Sequence, residues 1–209
     1  MTEKEYLNAH STPASEALQW LERQTHLRTN HARMLSGREQ GSLLSLISAL
    51  AKPSCILELG VFTGYSTICL AEGLAPGGTI HAVEINDELE DLIREGYDRA
   101  GISDKVQLHF GDAREIIPTL DCRFDLVYID ANKREYPDYY RLVIDKVATG
   151  GLILADNVLW DGKVLQDPMP QDAQTKGIAA FNDMVAADPR VEVFILPVRD
   201  GLSIIRKLS

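Results

Sequence analysis

Two short apolar runs in this chain end in oxygen-bearing side chains able to grip a metal ion. Phe124-Asp-Leu-Val-Tyr-Ile129 leads into Asp130, and Gly151-Leu-Ile-Leu-Ala155 leads into Asp156-Asn157. Each run reads as a buried strand. Two carboxylates and an amide oxygen delivered by neighbouring strand ends form an all-oxygen set, which suits a hard divalent cation such as Mg²⁺. A second region offers different chemistry. Ile56-Leu-Glu-Leu-Gly60 followed by Val-Phe-Thr-Gly64 looks like a nucleotide-type cofactor turn, with Gly60 and Gly64 bracketing it. The turn lacks the G-x-G-x-x-G pattern that brings a backbone against a pyrophosphate. A glycine pair after a strand is equally compatible with plain turn chemistry.

More weight comes from Glu84, at the end of the next strand candidate, where an acidic residue is placed to hold ribose hydroxyls. Alone, it would read as well as a helix-capping or solvated carboxylate. Gly111-Asp112-Ala113 follows the third strand candidate, where a side chain and a backbone N–H can read an adenine edge. Asp112 as the cap of the next helix is the plainer reading, and the two are compatible. With a ribose holder present and a phosphate cradle absent, a nucleoside cofactor without phosphates fits best. S-adenosylmethionine has those properties.

The elements that must position these residues follow from periodicity. The first fifty residues read as helical: Ser15-Glu-Ala-Leu-Gln-Trp-Leu21 has apolar residues at helical spacing, and Gly41 to Leu50 is a second amphipathic segment, closed by Pro53. From Ser54 strands alternate with helices. Strand candidates are 54–59, 79–84, 105–110, 123–129 and 151–155; helix candidates between them are 65–74, 86–100, 113–119 and 136–148. That alternation predicts a parallel sheet covered on both faces. The tail departs from it, with a helix over 174–187 and two strands, 191–196 and 202–206, close enough to pair as a hairpin. The expected fold is α/β: a Rossmann-like, doubly wound, mostly parallel seven-stranded sheet with an antiparallel C-terminal edge hairpin and extra N-terminal helices. No repeat, low-complexity tract or long linker divides the chain, so residues 1–209 are expected to form one domain, helical over 1–52 and α/β over 53–209.

Composition narrows the function classes. A chain of 209 residues with 45% hydrophobic composition can bury one sizeable α/β core. Its apolar runs are too short to span a bilayer, and the N-terminus carries no signal pattern. Cys55, Cys69 and Cys122 read as reduced thiols of a cytoplasmic protein. A formal charge of −10 counts against nucleic-acid binding. Arg23, Arg28, Arg33 and Arg38 do gather with His26 and His31, a pattern that reads first as a solvated helix face.

The motifs Leu57-Glu-Leu-Gly-Val-Phe-Thr-Gly-Tyr-Ser-Thr67, Val83-Glu84, Gly111-Asp-Ala113, Ile129-Asp-Ala-Asn-Lys133 and Asp156-Asn157 together resemble the cation-dependent S-adenosylmethionine O-methyltransferases, the catechol and caffeoyl-CoA group. The resemblance runs from about Met34 to Arg206. It implies that Ser36, Gly60, Tyr65 and Ser66 line the methionine end of the cofactor, with Glu84 on the ribose and Ala113 near the adenine. Glu58, Asp112 and Asp130 belong to the same cofactor set. It implies that Asp130, Asp156 and Asn157 coordinate Mg²⁺ and that Lys133 is the general base, in contact with substrate. Asn132 departs from the pattern, standing where many members carry a second aspartate.

The implied chemistry is methyl transfer from a sulfonium to one hydroxyl of a vicinal dihydroxy aromatic. A divalent cation contacting adjacent hydroxyls eases loss of the phenolic proton and fixes the attacking oxygen. Lys133 must be uncharged to accept that proton, and a nearby divalent charge favours the uncharged form. The competing reading makes Lys133 a structural cation that neutralises Asp130. Trp160 either walls an aromatic acceptor or serves as a core or interface tryptophan. Two other functions remain open: methylation of a hydroxylated uridine in transfer RNA, with the arginine cluster as its one supporting feature, and a non-enzymatic binding module. The resemblance also implies a homodimer, with the N-terminal helices and the edge hairpin as candidate surfaces.

Overall fold

The computed structural model describes residues 1–209, apart from the side chains at positions 3, 4 and 8. Its strands are β1 (Cys55–Leu59), β2 (Thr79–Glu84), β3 (Val106–Phe110), β4 (Phe124–Ile129), β5 (Val147–Asp156), β6 (Val191–Leu196) and β7 (Leu202–Lys207). Its α-helices are α1 (Glu3–Ala9), α2 (Glu16–Arg28), α3 (Gly37–Ala51), α4 (Tyr65–Ala71), α5 (Glu90–Ala100), α6 (Ala113–Ile116), α7 (Tyr136–Val143) and α8 (Ala173–Ala187). The seven strands form one sheet in the order β3-β2-β1-β4-β5-β7-β6. β1 to β5 pair in parallel, and β7 runs antiparallel to both β5 and β6. This is the mixed, doubly wound sheet that the alternation of elements predicts.

Alternation of side chains along each strand divides the core into two layers. Leu57, Leu59, Val127, Ile129 and Ile153 face Ile117, Tyr140 and Phe181 on one side. Ile56, Leu126, Tyr128 and Leu154 face Leu21, Leu44, Leu70 and Ile93 on the other. Both faces are therefore covered, which is why the central strands read as continuous apolar runs. Helices α2 and α3 belong to the second layer. Thr25 bonds Thr63 across 3.0 Å, and Ser48 Oγ donates to Leu70 O at 2.6 Å.

Several boundaries differ from the sequence expectation, each for a local reason. α4 ends at Ala71 rather than 74, because the chain must turn where Gly73 lies on α3; a Cβ there would fall 2.0 Å from the Ser48 carbonyl carbon. α7 stops at Val143 rather than 148, and β5 starts at Val147 rather than 151. Val147 pairs with Phe124, yet Leu152 pairs with Leu126, so extra residues of β5 bulge out around Gly150, whose φ is +82°. α3 begins at Gly37, four residues before the amphipathic run that marks it in the sequence.

Register places the chemistry. Leu59 pairs with Val83 and Ile129, and Ile129 pairs with Ala155. The next residue on each strand path is Gly60, Glu84, Asp130 and Asp156. These four occupy one row at the carboxyl ends, where strand order reverses between β1 and β4.

Candidate active site

Gly60 opens the row. Its φ is +90°, and a Cβ would sit 2.1 Å from the Asp130 carbonyl oxygen, so only glycine lets the β1 turn lie against the end of β4. The turn is then braced by two buried carboxylates. Glu84, 8% exposed, accepts bonds from the N–H groups of Val61 (2.9 Å) and Phe62 (2.8 Å) on one oxygen and from Asn86 N–H (2.9 Å) on the other. Asn86, not Glu84, caps the following 3₁₀ turn. Glu58 is fully buried beneath the turn and accepts hydroxyl bonds of 2.5 Å from both Ser66 and Thr67. Burial pushes its carboxyl up to about 8, against the opposing pull of those two hydroxyls.

The remaining cofactor candidates take defined positions. Ser66 has its hydroxyl on Glu58. The buried Tyr65 ring packs under α3, where a Cβ on Gly41 would meet it at 2.7 Å, and its hydroxyl has no hydrogen-bond partner among the described residues. Tyr65 therefore presents main chain, not its ring, to the turn. Ser36 is buried at the start of α3, and its carbonyl accepts a bond from the Arg199 guanidinium. Asp112 caps α6 through Arg114 N–H (2.8 Å) and pairs with the Arg114 guanidinium (2.6 Å), which holds its carboxyl below the usual range. Ala113, beside it, is buried.

The acidic row continues into a connected network. Lys133 Nζ, 8% exposed as a residue, donates to Asp130 Oδ1 at 2.7 Å and to the Tyr136 hydroxyl at 2.6 Å. That hydroxyl in turn faces the carbonyls of Ile129 (3.1 Å) and Asp156 (2.9 Å). Lys133 rides on a 3₁₀ turn capped by Asn132, and α8 packs against the turn so closely that a Cβ on Gly177 would lie 2.4 Å from Lys133 O. Asp156 accepts from Gln40 Nε2 (2.6 Å) and the Tyr128 hydroxyl (3.4 Å) on Oδ2, and from Asn157 N–H (2.8 Å) on Oδ1. Burial and the neighbouring Asp156 charge raise the Asp130 carboxyl, and Lys133 opposes them. Two carboxylates held close enough to repel each other, next to a left-handed Asn157 (φ +59°), make a donor set that a divalent cation would relieve. The residues fit such an ion, with Lys133 Nζ 2.7 Å from Asp130 Oδ1.

Trp160 follows in a tight loop, itself left-handed at φ +50°. Its ring packs on the β4–β5 core layer, Lys163 Nζ lies 5.5 Å from its centroid, and its buried indole N–H has no acceptor among the described residues. The loop is held from the β6–β7 turn: Leu159 N–H donates to Asp200 O (2.9 Å), and Asp161 N–H to Asp200 Oδ1 (2.7 Å).

Four participants escaped sequence reasoning. Gln40 and Tyr128 hold Asp156, Tyr136 ties Lys133 to the end of β5, and Arg199 reaches from the hairpin turn to Gln40 Oε1 (3.1 Å). The Tyr128 and Tyr136 hydroxyls beside apolar runs are a weak sequence signal; Gln40 and Arg199 carry none.

The row at the switch point, with glycine turn, acidic strand end and carboxylate pair, defines a Rossmann-like α/β protein whose site lies at the strand ends. Comparison with known proteins narrows this class. The family model described as O-methyltransferase matches residues 8–208. Caffeoyl-CoA O-methyltransferase 1 of Eucalyptus globulus is 34% identical over 189 residues, covering 84% of this chain and 76% of that protein. Among solved structures, the O-methyltransferase TomG from Streptomyces achromogenes, in complex with SAM, superposes with a TM-score of 0.91 at 29% identity, covering 100% of both chains. The O-methyltransferase from Bacillus cereus in complex with SAH gives 0.88 at 28% identity, covering 97% of this chain and 96% of that one. The chain belongs to the O-methyltransferase family. Among the described residues, no helix is long and apolar enough to cross a membrane.

Proposed function

We propose that this chain is a divalent-cation-dependent enzyme that moves a methyl group from S-adenosylmethionine to one hydroxyl of a vicinal dihydroxy aromatic, of catechol or caffeoyl type. The observation that carries this reading is the pairing of Asp130 and Asp156 at adjacent strand ends, with Lys133 Nζ 2.7 Å from Asp130 and the glycine turn one strand away. Relatives bearing the caffeoyl-CoA name and neighbours solved with SAM or SAH support the acceptor class and the donor.

In this reading Glu84 has a double task. It fixes the turn through two N–H groups and offers its carboxylate edge to ribose hydroxyls, while Gly60, Ser36 and the main chain of Tyr65 and Ser66 line the methionine end. Ala113 and Asp112 flank the adenine. Glu58 acts from below the turn by setting the Ser66 hydroxyl. Asp130, Asp156 and Asn157 would hold a Mg²⁺ ion. When bound, that ion supplies positive charge that eases deprotonation of a phenol and orients its oxygen. Lys133 takes the proton at Nζ, and Tyr136 keeps that nitrogen at the row by its 2.6 Å contact. Trp160, three residues after Asn157, is the residue we infer to wall the aromatic acceptor, its ring lying on the core layer.

A transfer-RNA substrate gains no comparable support. Of the arginines that suggest it, Arg28 pairs with Glu95 at 3.2 Å and Arg38 donates to the carbonyls of Ser11 and Thr12. The three free cysteines favour a reducing cytoplasmic setting. A second copy is the partner we infer for β6, an edge strand with Val193 and Ile195 each 37% exposed and Phe194 62% exposed.

The test is a panel of catechols and caffeoyl acceptors with S-adenosylmethionine, with Mg²⁺ or with excess chelator, read by mass spectrometry. Methylated product that requires the ion, and that is lost in Asp156→Ala and Asn157→Ala with far-UV dichroism retained, is the expected result. Full turnover in chelator would overturn the cation dependence, and label entering only bulk transfer RNA would overturn the acceptor.

A further inference from the structure

A separate cluster of chemical side chains lies toward the other end of the strands. Cys55 is the first residue of β1, about 16 Å along that strand from Gly60 at about 3.3 Å per residue. Cys55 pairs with Thr79, so His81, two residues on, projects from the same face of β2. His109 pairs with Val83 and projects from that face on β3. Cys122 enters from the segment just before β4. One ligand atom from each of Cys55, His81 and Cys122 lies within 4.8 Å of the others. All three residues are half-buried, so an ion could reach them from solvent.

The spacing matches a metal polyhedron. Tetrahedral bonds of about 2.3 Å to sulfur and about 2.0 Å to nitrogen leave the two ligand atoms about 3.5 Å apart. Cys122 Sγ and His81 Nε2 are 3.7 Å apart. The other ring nitrogen of His81, Nδ1, is 3.2 Å from His109 Nε2. With the proton on Nδ1 donated to His109, the lone pair of Nε2 faces the two sulfurs. Histidines that bind metals are commonly oriented through the far ring nitrogen in this way.

We propose that Cys55, Cys122 and His81 form a binding site for a soft transition-metal ion, with Zn²⁺ as the physiological occupant and His109 as the residue that orients His81. Two sulfurs and an imidazole select such an ion over Mg²⁺, the ion that suits the acidic row. On binding, each thiol releases its proton to solvent and two metal–sulfur bonds form, without change of oxidation state. The ion would pin the starts of β1 and the β4 lead-in to the middle of β2. Its effect is on stability, because none of these residues belongs to the row at the carboxyl ends.

The test uses the full-length protein, stripped by chelator, exchanged into chelator-free buffer and kept under a phosphine reductant. Cd²⁺ is titrated as the probe and followed by thiolate-to-metal charge-transfer absorption. The expected result is a band that saturates at one ion per chain, is displaced by Zn²⁺ and is unaffected by excess Mg²⁺. Cys55→Ser and Cys122→Ser should each abolish stoichiometric binding. Cys122 lies outside the strands, so that variant keeps the test valid if Cys55→Ser fails to fold. His109→Ala should keep the band while weakening affinity about 10- to 100-fold. Absence of a band, a band that survives Cys122→Ser, or one lost in Cys69→Ser overturns the site. So does a Cys55–Cys122 disulfide, detected as a mass lower by two hydrogens, if the reduced protein then gives no band.

Discussion

Gln40 gives the sharpest test of how the acidic row is built. It is 1% exposed on α3, and its amide donates to Asp156 Oδ2 at 2.6 Å and to the Tyr128 hydroxyl at 2.8 Å. Its oxygen accepts from Arg199 at 3.1 Å. Gln40→Ala removes a charge-assisted bond, worth about 1.5–3 kcal/mol, and leaves Tyr128 and Arg199 each short of a partner. Arg199 keeps its bond to Ser36 O, which limits the further loss. Unfolding free energy should fall by about 2–3 kcal/mol. Residues that orient a metal ligand typically change metal affinity 10- to 100-fold, so the Mg²⁺ concentration for half-maximal turnover should rise by about that factor. The assay is turnover against Mg²⁺ at saturating S-adenosylmethionine, with a urea unfolding curve for the variant. If Gln40→Ala loses stability and its Mg²⁺ titration does not move, the side chain is only a core polar group and the proposed link to the ion is wrong.

Three further outcomes follow from the same geometry. Glu58 has a folded carboxyl raised to about 8 from an ordinary 4.5, so between those values the folded chain holds a proton that the unfolded chain releases. Stability should fall as pH rises through that window, by at most about 1.4 kcal/mol per unit, and Glu58→Gln should flatten the profile; parallel profiles for the two proteins would refute it. Lys133→Ala should slow turnover across the pH range with S-adenosylmethionine affinity little changed, and equal turnover at every pH would remove Lys133 as the base. Phe194→Asp, on the exposed edge strand, should shift a dimer to monomer in light scattering without loss of secondary structure, and an unmoved mass would place any dimer surface elsewhere.

Much of this arrangement was legible in the sequence, for identifiable reasons. Strands covered on both faces are mostly apolar, so 55–59 and 124–129 stand out despite Glu58 and Asp125, and a carboxylate such as Asp130 that follows such a run falls in the row at the strand ends. The first part of β5 was hidden because Val147 and Ala148 read as the end of the helix candidate 136–148, with the strand starting only at Gly151; only the β4 pairing shows the segment as a bulged strand. The braces of the site were hidden for another reason. Gln40 meets Asp156 across 116 residues of chain, and Arg199 meets Ser36 across 163. No local pattern encodes contacts of that span. Glu58 stands in a recognisable motif, yet its burial beneath the turn and its grip on Ser66 and Thr67 emerge only from the packing.

The C-terminal hairpin then acquires a role beyond finishing the sheet. Asn157, Trp160 and Asp161 all lie in the left-handed region, at φ +59°, +50° and +53°, a conformation that costs side-chain-bearing residues about 1–2 kcal/mol each. The loop they form keeps this shape because the β6–β7 turn holds it. Val158 N–H donates to Gly201 O (3.1 Å), Leu159 N–H to Asp200 O (2.9 Å) and Asp161 N–H to the Asp200 side chain (2.7 Å). Gly201 has no room for a side chain, since a Cβ would meet Leu159 at 2.6 Å. Two residues before Gly201 on the same turn, Arg199 fastens the start of α3, whose Gln40 sets Asp156. An antiparallel addition at one edge of the sheet thus fixes two neighbouring oxygen donors at once: Asn157 from the loop and Asp156 through α3. The parallel core brings the two carboxylates to one row and holds Asp130 through Lys133, while Asp156 depends for its 2.6 Å bond on α3, which the hairpin turn fastens from outside that core.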